Sequence, residues 1–231
     1  ARMGYGVKGV FLSTLAASAL TVFMLGPAIA EKVSAVFDRH LHRNLVRFAL
    51  PLLPAGLASM AIQVLDRPIL KHFMDNASVG LYQANYKLAI FMMMTINMFD
   101  MAWRPFYLER ERDPRIKDIL SRTLTYFAVF GSFILLGVSL FLRDLVSLPL
   151  LHGKPIIHPS YWVGLKIVPV VMLGYLFNGV YLNLHAPVTL SKRTDYIAYA
   201  TAAGAVVSLG ANLLLIPRWG MMGAASAVVA A

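Results

Sequence analysis

Cysteine is absent from the sequence, which excludes disulfides and thiolate-held zinc or iron–sulfur sites and leaves no thiol signal from which to read a compartment. Charge is scarce too. Only 14% of the 231 residues are Asp, Glu, Lys or Arg, against roughly a quarter in an ordinary soluble domain. Acid is the scarcer sign: 11 Asp and Glu stand against 21 Lys and Arg, for a formal net charge of +10. In a soluble protein that surplus would suggest nucleic acid, but here the basic residues fall mostly between apolar runs and imply no nucleic-acid partner. Catalytic signatures are missing as well. There is no His-Glu-x-x-His helix, no Gly-rich loop closed by Gly-Lys-Ser/Thr, and no Gly-x-Ser-x-Gly elbow. The six histidines do not fall at metal-ligand spacing, and His40 and His42 read as loop residues. Nothing in the pattern argues for an enzyme, a catalytic residue, a metal or a cofactor.

What is abundant is apolar length. Hydrophobic residues make up 58% of the chain. A helix needs about 20 apolar residues to cross roughly 30 Å of hydrocarbon. Six stretches predict such spans, at 7–30, 48–73, 80–103, 123–142, 161–185 and 196–216. A seventh starts at Met221 and is still apolar at Ala231. That and the missing initiator lead us to expect a piece of a longer protein. The first span, preceded by Arg2 and Lys8 and ending in Ala28-Ile29-Ala30, mimics a cleavable signal. The five spans that follow favour a membrane helix.

Charge then orients the spans, because cytoplasmic loops carry excess Lys and Arg. The first, third and fifth connections hold twelve basic residues and the second, fourth and sixth hold four, so the odd connections are expected inside and the N-terminus outside. These topology residues account for most of the surplus. The longest connection, 104–122, contains the charged run Glu109 to Asp113 with Pro114 and reads as a surface helix or turn.

A few ionisable groups fall within the spans, where they are costly and ask for a reason. Asp66 and Arg67 lie near the outer end of the second span, and Lys87 lies about 10 Å into the third. Antiparallel neighbours would bring the three to similar depth. Two compatible readings stay open: an Asp–Lys or Asp–Arg pair joining the helices, or a cationic lining of a polar cavity. Asp100 and Arg104 are four apart and share a helix face, which suits an interface anchor. Lys166 sits about six residues into the fifth span and either snorkels outward or meets a ligand. Asn85, Asn97, Asn178 and Asn183 are expected to bond between helices. Pro68 and Pro169 are expected to kink their helices. Gly174, Gly179 and Gly204 with Ser208 offer close helix approach.

Two stretches, 48–105 and 181–227, resemble a known family. Their elements are Leu50-Pro51, Asp66-Arg67, Val79-Gly80-Leu81-Tyr82, Tyr86-Lys87, Trp103-Arg104-Pro105-Phe106, Lys192-Arg193-Thr194, Asn212 through Ile216-Pro217, and Gly220 with Gly223-Ala224-Ala225. In this order they are similar to the bacterial polysaccharide (O-antigen type) flippases of the multidrug/oligosaccharidyl-lipid/polysaccharide exporter superfamily. The resemblance implies an all-α, polytopic membrane bundle forming the C-terminal lobe of a two-lobe MATE-like transporter. Residues 1–47 would be the last helix of the N-terminal lobe plus a cytoplasmic inter-lobe loop, and 48–231 the C-terminal lobe. It also implies an isoprenoid-pyrophosphate-linked oligosaccharide as substrate, moved by alternating access in the bacterial cytoplasmic membrane. Expected partners are that substrate, membrane lipids, the N-terminal lobe and the polysaccharide polymerase machinery. Arg67, Lys87 and Lys166 would meet substrate; Asp66, Asp100 and Arg104 would serve structure or coupling.

Overall fold

The computed structural model of the chain describes residues 6–32, 38–50, 52–151, 154–155, 157–191, 193 and 195–231. Arg2, Pro51, His152, Lys192 and Thr194, which entered the charge, histidine and motif readings, lie outside them. Two compact units emerge, Ala1–Phe48 and Ala49–Ala231.

The first unit holds α1 (Gly6–Lys32) and most of α2 (Arg39–Ala49). The apolar stretch Phe11–Pro27 of α1 leaves Phe11 and Phe23 largely exposed, as a lipid-facing helix would. His40 and His42, expected in a loop, lie instead in α2. Asp38 starts that helix: its Oδ1 accepts from the backbone N–H groups of His40 (2.8 Å) and Leu41 (3.1 Å), satisfying donors that have no intrahelical partner.

The second unit is a helical bundle. Its elements are α3 (Leu52–Val64), α4 (Asp66–Phe73), α5 (Asn76–Tyr86), a 3₁₀ turn (Lys87–Ala89), α6 (Ile90–Glu109), α7 (Ile116–Leu140) and α8 (Leu142–Ser147). A small antiparallel ribbon follows, β1 (Pro149–Leu151) with β2 (Lys154–Pro155). A 3₁₀ stretch (Pro159–Ile167), α9 (Val168–Leu190), α10 (Asp195–Trp219) and α11 (Met221–Ala230) complete the unit. The charged run after Glu109 is a turn: the N–H of Asp113 bonds the carbonyl of Arg110 and that of Ile116 the carbonyl of Asp113, each at 3.0 Å.

Among the described residues, three helical stretches are long and apolar enough to cross a membrane: Ile116–Leu140, Pro159–Leu190 and Tyr196–Trp219. The first is clad in exposed Phe133, Leu136 and Leu140. Such a surface needs lipid rather than water around it. The protein is thus an all-α, multi-pass membrane bundle.

The second and third predicted spans differ from expectation, because neither is one continuous helix. Pro68 is the third residue of α4 and has no N–H to offer the carbonyl of Val64, four residues back. The ladder passes from Leu65 N–H to Ala61 O and from Ile69 N–H to Leu65 O, and helix continuity is lost between them at Leu65. In the third span the break is the 3₁₀ turn at Lys87. Each break therefore coincides with a charge singled out in the sequence. Pro169, also expected to kink its helix, stands where the nine-residue 3₁₀ stretch gives way to α9, and 3₁₀ runs of that length are uncommon.

At the centre of the bundle runs α9, packed on α6, α7 and α11. Its glycines permit this: a Cβ at Gly174 would press on Val228 of α11, and one at Gly179 would collide with Phe127 of α7. The core around it includes Met92, Ile96, Phe127, Val171 and Met172.

Candidate polar site at the helix breaks

Both breaks feed one polar cluster. Asp66, at the first residue of α4, is 2% exposed. Its partner is neither Lys87 nor Arg67, the two pairings expected from depth. Among the described residues the ion pairs are Asp100–Arg104 and Asp118–Arg122, and Asp66 instead accepts a 2.7 Å hydrogen bond on Oδ2 from the hydroxyl of fully buried Tyr82 in α5. Oδ1 of Asp66 has no hydrogen-bond partner among the described residues. A hydroxyl can reach a carboxylate without the desolvation of a second charge, which in apolar surroundings costs several kcal/mol.

Arg67 follows Asp66 but faces a different neighbour. Its guanidinium lies 5.2 Å from the ring centroid of Tyr86, and Nη1 donates to the carbonyl of Gln63 at 3.1 Å. Tyr86 is one turn beyond Tyr82, and their rings are 5.5 Å apart. Across the bundle, Tyr175 of α9 donates its hydroxyl proton to the Tyr86 hydroxyl at 3.1 Å. Asp66, Tyr82, Tyr86, Tyr175 and Arg67 thus form one group drawn from α4, α5 and α9. Arg67 is only half-buried, and one carbonyl bond uses a small part of its five-donor fork. A half-buried guanidinium held over an aromatic face keeps donors for an anionic ligand and is suited to bidentate phosphate recognition.

Asn85 fixes the segment next to this group. It is fully buried, and Nδ2 donates at 2.9 Å both to Leu81 O in its own helix and to Tyr161 O in the 3₁₀ stretch. Gly164 makes room for it: a Cβ there would overlap the Asn85 amide. Lys87 follows Asn85 by two residues and Lys166 follows Gly164 by two, and both lysines are exposed. Depth along the third span had suggested a lysine paired inside the bundle. The 3₁₀ turn is the point at which Lys87 leaves it.

Asp100 and Arg104 meet as the four-residue spacing predicts, Nε to Oδ2 at 3.1 Å. On α9, the ring of His185 packs edge-on to Tyr181 at 4.4 Å. The remaining asparagines depart from expectation. Asn97 and Asn178 are exposed, and Asn183 donates to Gly179 O within its own helix. Of the four, Asn85 is the one whose bond crosses between elements. Among the described residues no three His, Asp or Glu side chains converge as a metal site would require.

The tyrosines are what the sequence reading passed over as a group. Tyr82 and Tyr86 sit at i and i+4, which places them on one face, and that spacing was a usable signal. Tyr175 carried none, because its partner is 89 residues away.

A family model described as polysaccharide biosynthesis protein matches residues 1–150, which include Asp66, Arg67, Tyr82, Asn85, Tyr86 and Lys87 but not Tyr175 or Lys166. No curated protein and no solved structure matches the chain. With well over half of its length matched, the chain belongs to the polysaccharide biosynthesis protein family, and its apolar helices make it a membrane-embedded member.

Proposed function

We propose that the protein is a transporter rather than an enzyme, and that it moves isoprenoid-pyrophosphate-linked oligosaccharide units from the inner to the outer leaflet of the bacterial cytoplasmic membrane for surface polysaccharide assembly. The observation that carries this reading is Arg67, a half-buried guanidinium at a helix break within a membrane bundle of this family. A pyrophosphate needs a cation that keeps donors free, and broken helices are where transporters bend around a site. In this reading α1 closes an N-terminal lobe and residues 48–231 form the C-terminal lobe of a MATE-like pair. Lys87 and Lys166 supply further positive charge along the substrate's path. The polymerase machinery takes the delivered unit.

The test is complementation of surface-polysaccharide assembly by Arg67→Ala with Lys87→Ala in the full-length protein, with membrane insertion checked in parallel. Loss of polysaccharide with normal insertion is expected. Full complementation would sink the cationic-site assignment.

A second reading is a cation-coupled multidrug exporter of the same superfamily. Asp66 favours it, because a buried carboxylate with one unpartnered oxygen is the kind of group that couples to a cation. Drug-resistance phenotypes lost in Asp66→Asn, with polysaccharide unaffected, would favour it over the flippase.

A further inference from the structure

A second feature lies outside this site. Helix α2 (Arg39–Ala49) is 11 residues long, too short to be stable alone in water. Its residues divide into two faces. Arg39 and Arg43 are one turn apart and exposed, and Arg47 continues the spacing in the sequence. Leu41 and Leu45, also a turn apart, lie on the other side and are 55% and 58% exposed; Phe48 takes the next apolar position of the repeat. Asp38 caps the first turn, so the helix has a defined start. Six residues separate it from the end of α1 and two from the start of α3. Both flanking helices are apolar. A short helix tethered at each end to apolar spans stays at the membrane surface.

We propose that α2 is an interfacial helix that binds the anionic lipid headgroups of the leaflet where it emerges. Leu41 and Leu45 enter the headgroup–acyl boundary, and the arginines lie on the phosphates. Charge complementarity selects the occupant: the helix carries three arginines and no acidic residue, and anionic leaflets attract basic segments beside a membrane span. The surface serves to hold the α1–α3 connection in the interface, whatever substrate the bundle moves.

The absence of native cysteine allows single-site labelling of the full chain. Leu45→Cys and Arg43→Cys, on opposite faces, are spin-labelled in vesicles of phosphatidylcholine with phosphatidylglycerol and of phosphatidylcholine alone. The label at position 45 is expected to be reached by oxygen and shielded from a water-soluble nickel chelate, and the label at 43 the reverse. Phosphatidylglycerol should deepen position 45, with a factor of roughly five in partitioning per arginine. Replacing Arg39, Arg43 and Arg47 with Gln should abolish that lipid dependence. Equal nickel access at both positions would overturn the interfacial placement. Shielding at 45 that ignores headgroup charge and the three substitutions would overturn the lipid assignment in favour of a protein surface.

Discussion

The Tyr82 hydroxyl donates to Oδ2 of Asp66 at 2.7 Å, joining α5 to α4 across the turn between them. Among the described residues no other side chain donates to Asp66, and Oδ1 has no partner. Tyr82→Phe would leave a buried carboxyl without its side-chain partner. The expected cost is about 1–3 kcal/mol, read as earlier thermal unfolding in detergent. Asp66→Asn should restore part of the loss in the Tyr82→Phe background, because a neutral amide is less costly to strand. Additive effects of the two substitutions would refute the coupling.

Arg67 rests on Tyr86. Tyr86→Leu removes the ring and is expected to release the guanidinium, whereas Tyr86→Phe keeps the face and removes only the hydroxyl that Tyr175 donates to. A cation over an aromatic face is worth about 0.5–2 kcal/mol. Polysaccharide complementation should therefore fall more with Leu than with Phe. The opposite order would show that the hydroxyl pair matters and the ring does not.

Gly164 has no room for a methyl group, because Asn85 occupies it. Overpacking of this kind costs about 1–3 kcal/mol. Gly164→Ala is expected to lower the unfolding temperature, and Asn85→Ala in the same chain to recover part of it by vacating the space. No recovery would mean that the contact between α5 and the 3₁₀ stretch does not depend on this pair.

Gly220 joins α10 to α11 with φ at +55° and ψ at −129°, a region that side-chain-bearing residues avoid. Gly220→Ala should destabilise by roughly 1–3 kcal/mol, and its Cβ would also meet Met74 Sδ at 3.0 Å. Met74→Ala relieves the contact but not the backbone strain, so most of the loss should persist in the double variant.

Asp75 lies between the second and third spans, at the start of α5. Its Oδ1 accepts from Ser78 N–H at 3.0 Å. Hydrogen bonding from Ser78, its hydroxyl first and then this backbone N–H, holds the Asp75 carboxyl below the usual value of 3.8. A depressed carboxylate pKa adds stability that is present above the unfolded value and disappears as pH falls through the folded one. Hydrogen exchange at Ser78 and Val79 should therefore be faster in Asp75→Ala than in the parent at neutral pH, and the difference should vanish in acid. A difference that persists below the folded pKa would rule out the carboxylate as the cap.

The sequence by itself determined that this is a helical membrane protein, where three of its long apolar helices lie, and that the second span breaks near Pro68. Apolar run length and the missing amide of Pro68 are local properties, so no tertiary information is needed to read them. The pairing of Asp100 with Arg104 was legible for the same reason, being set by the helical repeat. Spacing also named Asp66, Arg67 and Lys87 as unusual. Only the tertiary structure decided what they touch. Depth along a span says that two groups can be neighbours, but not which way the helix is rotated. That rotation, with the 3₁₀ turn, brings Tyr82 to Asp66 and turns Lys87 outward. Tyr175 reaches Tyr86 because α9 runs through the centre of the bundle, and its small residues admit neighbouring helices at close range. A hydroxyl, not a lysine, thus satisfies the buried acid, because packing of apolar surfaces sets the rotation and the polar groups take the partners it leaves them.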